Sequence, residues 1–102
     1  MTSTFRINIE DVASEMTTRP VGALARTRIL SFLRDYESID IDFGNRSITP
    51  SFADECIGQL AAKLGLSGFK NRVRLSNLSD SSKPLVKHVI LTRCNELRQA
   101  II

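Results

Sequence analysis

Three observations predict a small α/β fold, a sheet of three to four mainly parallel strands with helices packed mainly on one face. Three short stretches alternate apolar and polar residues with the period of two expected of half-buried strands. Each is followed by a longer stretch in which apolar residues recur at the three-and-four spacing of an amphipathic helix. Strands alternating with helices favour parallel pairing through crossover connections. The strands, however, are apolar on one side only, whereas strands covered on both faces are apolar throughout. One face of the sheet should therefore stay open to solvent, a second subunit or a partner.

In chain order, Phe5, Ile7 and Ile9 alternate with Arg6, Asn8 and Glu10 and give the first strand. Residues 11–18 show no clean periodicity and fit either a loop or one helical turn. Thr18, Arg19 and Pro20 form a helix entrance, with Val21, Leu24, Ala25, Ile29, Phe32, Leu33 and Tyr36 on one side and Arg26, Arg28 and Arg34 on the exposed side. Ile39, Ile41 and Phe43 then alternate with Asp40 and Asp42 as the second strand, and Gly44, Asn45 and Arg46 supply a turn. Thr49 is placed to cap a helix that Pro50 opens, since proline lacks the N–H that the first turn would leave unbonded. Phe52, Ala53, Cys56, Ile57, Leu60, Ala61 and Leu64 draw its buried stripe, and Gly65 should end it. Phe69, Val73 and Leu75 against Lys70, Arg72 and Arg74 give a third strand with a cationic side. Asn77, Ser79, Asp80, Ser81 and Ser82 form a turn and cap, and Pro84 lies just inside a last helix that buries Val86, Val89, Ile90, Cys94, Leu97 and Ile101.

A length of 102 residues suits one domain, and 42% hydrophobic residues suffice for one modest core. No apolar run reaches the roughly 18 residues that cross a bilayer, and MTSTFRINIE lacks the basic-then-apolar pattern of a signal peptide, so a soluble, cytoplasmic protein is expected. Cys56 and Cys94 have no Cys-x-x-Cys spacing, which argues against a metal site and a disulfide framework. The net charge of +3 is unevenly placed: residues 1–62 carry six basic against nine acidic side chains, and residues 63–102 eight against two. Single spacing of the cations, no Trp and one Tyr count against a nucleic-acid platform, which stays the alternative reading, built on the cationic strand side with Arg93 and Arg98.

The segment IDIDFGNRSITPSFADECIGQL, with TRPVGALAR before it and VRLSNLSDSSKPLVKHVI after it, resembles the bacterial STAS-like domains of unknown function, over about Arg19 to Leu97. These are related to the STAS domains of anti-sigma-factor antagonists, small switch proteins in which a strand-end aspartate precedes a turn and a helix-opening serine. That serine is phosphorylated by a histidine-kinase-like ATPase. The resemblance implies a non-enzymatic regulatory module with a protein partner, no cofactor and no catalytic residues. It places Asp42 at the aspartate and Ser51 at the phosphorylated serine, although Pro50, Phe52 and Ala53 depart from the Asp-Ser-Ser-Gly pattern. The contact surface then comprises Asp42, Asn45, Arg46, Ser47, Thr49, Ser51, Phe52 and Asp54, and the open sheet face leaves room for a homodimer. His88 reads as a surface or boundary residue, because acid–base catalysis needs an oriented partner. Asp40 and Asp42, about 7 Å apart along one strand face, satisfy a distance for paired-carboxylate chemistry without implying a pocket. The glycines match no nucleotide-binding fingerprint.

Overall fold

The computed structural model describes the backbone of residues 3–101 and the side chains of residues 3–95. Three parallel strands, β1 (Thr4–Asn8), β2 (Ser38–Asp42) and β3 (Val73–Ser76), form one sheet in the order β1-β2-β3. The register places Phe5, Ile39 and Val73 side by side, then Arg6, Asp40 and Arg74, then Ile7, Ile41 and Leu75. Parallel partners share a face, so the pairing separates an apolar side from a charged side. Ile7, Ile39, Ile41 and Val73 are buried, while Arg6 and Arg74 are exposed. Helices cover the first side only.

The first crossover starts with a single helical turn, α1 (Ile9–Val12), so the strand ends at Asn8, and Ile9 and Glu10, expected in the strand, are helical. Residues 13–18 are irregular, but Ala13 and Met16 are buried. Helix α2 (Arg19–Asp35) begins after Thr18 with Pro20 in its first turn, as expected. It buries Gly22, Ala25, Ile29 and Leu33, and its Phe32 stacks on Phe5 with ring centroids 4.8 Å apart. Two expectations for this helix are corrected. Leu24 is 55% exposed, because the buried line runs through Gly22 and Ala25 instead. Arg26 is half-buried and turns toward the following crossover, not toward solvent.

That second crossover is one long helical path with two irregularities. It opens as α3 (Pro50–Ala53), widens to a π turn at Asp54–Gly58 and continues as α4 (Gln59–Arg72). α2 and the last helix both pack closely on the π turn. A Cβ on Gly22 would come 3.0 Å from Cβ of Glu55, and one on Gly58 would come 3.0 Å from Oδ1 of Asp54 and 3.1 Å from Cγ of Arg93. Small residues on both sides admit this contact.

Gly65 has φ 77° and ψ 156°, which is backbone open essentially to glycine alone. It ends the first helical run, as expected, but a second helical run follows directly and continues through Arg72. Phe69 to Arg72 are therefore helical, and the third strand begins only at Val73. The side chain of Arg72 accordingly leaves the expected cationic strand side. It donates to the carbonyls of Leu33 (2.6 Å), Tyr36 (3.1 Å) and Glu37 (2.9 Å), capping the end of α2.

Helix α5 (Ser82–Ile101) follows a serine-rich turn in which Ser79 and Ser82 share a 2.7 Å hydrogen bond. Val86, Val89 and Cys94 enter the core and Ile90 is half-buried. The side chains of Leu97, Arg98 and Ile101 lie outside the described residues. Cys56 and Cys94 are both buried free thiols, and burial pushes that of Cys56 up to about 12. Among the described residues no helix is long and apolar enough to cross a membrane.

Candidate functional site

At the carboxyl ends of the strands, the usual working edge of an open α/β sheet, Asp42 is the organising side chain. Its Oδ2 accepts from Nη2 of Arg6 at 2.7 Å, and its Oδ1 accepts from Nδ2 of Asn77 at 2.9 Å and from the N–H of Gly44 at 2.8 Å. The Arg6 hydrogen bond first, then those from Asn77 and Gly44, hold its carboxyl well below the usual range, at about 2. Gly44, Asn45 and Asn77 all have positive φ, and the N–H of Asn45 donates to the carbonyl of Asn77 at 2.7 Å. Asp42 thus ties together the turn after β2 and the turn after β3. Asp40 accepts from Oγ of Ser76 at 2.7 Å.

The helix entrance beyond these turns is built as its residues suggest. Oγ1 of Thr49 accepts from the N–H of Phe52 at 3.3 Å and donates to the carbonyl of Thr17 at 2.8 Å. The same threonine therefore caps α3 and fastens it to the segment before α2. Pro50 is exposed and Ser51 half-buried. Ser51 lines a groove of about 280 Å³ together with Arg19, Asp54, Leu85, His88 and Arg93. α5 contributes the last three, spaced three and five residues apart.

An ion-pair cluster occupies the inner end of this groove. Asp54 accepts from Nε and Nη2 of Arg93 at 2.8 and 2.6 Å and from Nη1 of Arg19 at 2.8 Å. Glu55 accepts from Nη1 of Arg26 at 2.9 Å and from Nη1 of Arg19 at 3.3 Å. Nη1 of Arg26 also donates to the main-chain carbonyl of Glu55 within the π turn. The hydrogen bond from Arg93 is the main reason that the Asp54 carboxyl is held down to about 2, and Arg26 is the main reason that Glu55 is lowered. Three arginines from α2 and α5 thus converge on the π turn and bind three helices together.

The candidate contact residues fall into two groups. Asp42 and Asn45 belong to the strand-end clamp, beside exposed Ser47 and Arg46, the latter paired with Glu10 at 2.8 Å. Ser51 and Asp54 belong to the groove, and Asp42, Asn45, Arg46 and Ser47 do not line it. Phe52 is corrected: it is 0% exposed and packs in the core, so it offers nothing to a partner. Thr49 is engaged as cap and anchor, and Asp54 is engaged by two arginines. Of the residues left outside the contact surface, His88 and Arg93 line the groove beside Ser51. Their signal in the sequence was the four-residue step from Leu85 to Val89, which fixes the face of α5 that carries His88, Thr92 and Arg93.

A parallel sheet backed by helices on one face, with a helix entrance at its working edge, defines the class. The model of the STAS-like domain of unknown function matches residues 22–83, more than half of the chain, and the chain belongs to that family. No curated protein and no solved structure matches the chain.

Proposed function

We propose that this chain is a non-enzymatic regulatory module that works by binding another protein at the Ser51 entrance. Phosphorylation of Ser51 by a histidine-kinase-like ATPase would change that contact. The observation that supports this reading is the placement of Ser51, half-buried in a groove lined by Arg19, His88 and Arg93. A phosphate there adds about −1.5 to −2 charges and strong acceptors. Arg19, with a side chain 51% exposed, can reach it by releasing Asp54 or Glu55. Addition of the phosphate would then redistribute an existing ion-pair cluster, altering the surface while the core stays in place. The acids at 54 and 55 oppose the added charge only weakly, because arginines already engage both.

Incubation with ATP and a histidine-kinase-like ATPase from the same organism tests the reading by intact mass and co-purification. We expect one added phosphate on the wild type, none on Ser51→Ala and a weakened complex for Ser51→Asp. Wild-type binding by both variants removes Ser51 from the mechanism. The nucleic-acid alternative is less favoured by the charge pattern. On the open sheet face Arg6 and Arg74 alternate with Asp40 and Asp42, Arg72 is spent on main-chain carbonyls and Arg93 on Asp54. Retention on DNA or RNA that falls steeply with salt would restore it.

A further inference from the structure

On the side of α5 away from Ser51, a second groove of about 320 Å³ lies between that helix and the part of α4 beyond the Gly65 kink. Leu66, Phe69, Leu78, Val86 and Ile90 form its floor, and Leu91, 42% exposed, stands at its edge. Lys70, Lys83 and Lys87 complete the lining, and among the described residues no acidic side chain lines it. Among the described residues Lys83 pairs only with the fully exposed Asp80, at 3.3 Å. The surrounding chain reinforces this sign, since residues 63–102 hold eight basic side chains against two acidic ones.

We propose that this groove is a docking site for an acidic amphipathic helix of a partner protein. An apolar floor between two helices can receive side chains at helical spacing, and a lysine rim selects a partner with Asp or Glu beside those anchors. The few aliphatic side chains it can take match one face of a short helix. Solvent-exposed Leu91 is the anchor on this side of the contact. The site is separate from the Ser51 groove, which uses the opposite side of α5, and binding here does not depend on phosphorylation.

The test titrates the full chain with a synthetic helical peptide carrying Leu at positions i, i+3, i+4 and i+7 and Glu elsewhere, against the same peptide with Lys for Glu. Backbone amide shifts in the NMR spectrum locate the site. We expect binding of the acidic peptide only, weakening with salt, with shifts centred on Leu66, Phe69, Ile90 and Leu91. Leu91→Glu should weaken it by roughly tenfold, and Lys70→Glu with Lys87→Glu should turn the preference to the basic peptide. These positions are exposed, so the variants should keep the wild-type circular dichroism. Equal binding of the two peptides, or shifts away from the groove, overturns the proposal. So does binding confined to phosphatidylserine vesicles, or sedimentation showing that a second copy of the chain covers Leu91. Ser51→Ala separates the two sites, since it should leave peptide binding unchanged.

Discussion

Replacing Asp54 by Asn should destabilise the fold at neutral pH and do progressively less damage as pH falls. The carboxyl titrates at about 2 in the folded chain, against an ordinary value of 3.8, mainly because Arg93 grips it from two nitrogens while Arg19 adds a third. A folded-state pKa below the unfolded one means stability that is fully present above the unfolded value and lost as pH falls through the folded one. At about 1.36 kcal/mol per unit the shift corresponds to roughly 2 kcal/mol, and solvent screening brings the working figure down to about 1–2 kcal/mol. At pH 3 roughly half should remain, and by pH 2 little. Urea unfolding of both proteins at pH 7, 5 and 3 measures it. With a slope of about 1–2 kcal/mol per M, the variant's midpoint should lie roughly 1 M lower at pH 7. A gap of the same size at pH 3 as at pH 7 would refute the reasoning, because the loss would then owe nothing to the ionised carboxylate.

Gly22→Ala should cost about 1–3 kcal/mol, since its methyl would sit 3.0 Å from Cβ of Glu55 and 3.2 Å from the carbonyl of Phe52; thermal unfolding reads the loss. Gly65→Ala and Gly65→Asn should both cost about 1–3 kcal/mol, because φ 77° with ψ 156° suits neither. Gly44→Asn, at φ 59° with open space around it, should be nearly neutral in the same melts. Arg72→Met should lose about 1–3 kcal/mol by removing a charged donor from three carbonyls, and Arg72→Lys should recover only part of it in urea titrations. Cys56, its thiol pushed up to about 12, should resist a thiol reagent at pH 8 until the chain unfolds; rapid labelling of Cys56 in the folded protein, located by mass spectrometry, would contradict its burial.

The strands and helix entrances were legible because their signals are local. Alternation placed Ile39 and Ile41 on the core side and Asp40 and Asp42 on the open side, and the Thr49–Pro50 pair set the start of α3. The third strand was placed too early, since Phe69 and Lys70 to Arg72 alternate as well in a strand as they turn in a helix, and only the conformation of Gly65 lets the helix resume. The π turn left no mark on periodicity. It is set by the approach of Gly22 and Gly58 to their neighbours and by Arg26 reaching the Glu55 carbonyl, contacts between residues far apart in the chain. For the same reason Asp54 read as part of a contact surface, Arg19 as a helix-entrance residue, Arg26 as an exposed-side cation and Arg93 as part of a cationic face, with nothing to link them. The groove beside Ser51 needed α5 to fold back across α3, which no pattern within either segment announces.

The sheet order carries a consequence for how the chain comes to its shape. Each strand pairs with one 34 residues away, Thr4 with Ser38 and Ile39 with Val73, and the intervening stretch is helical for most of its length. On a nascent chain, the middle strand therefore emerges with only one native neighbour available, and its second appears after a further helical crossover has been synthesised. Such separated pairings close more slowly than contacts within a helix. Until β3 arrives, the free edge of β2 is the segment most open to pairing with the wrong chain.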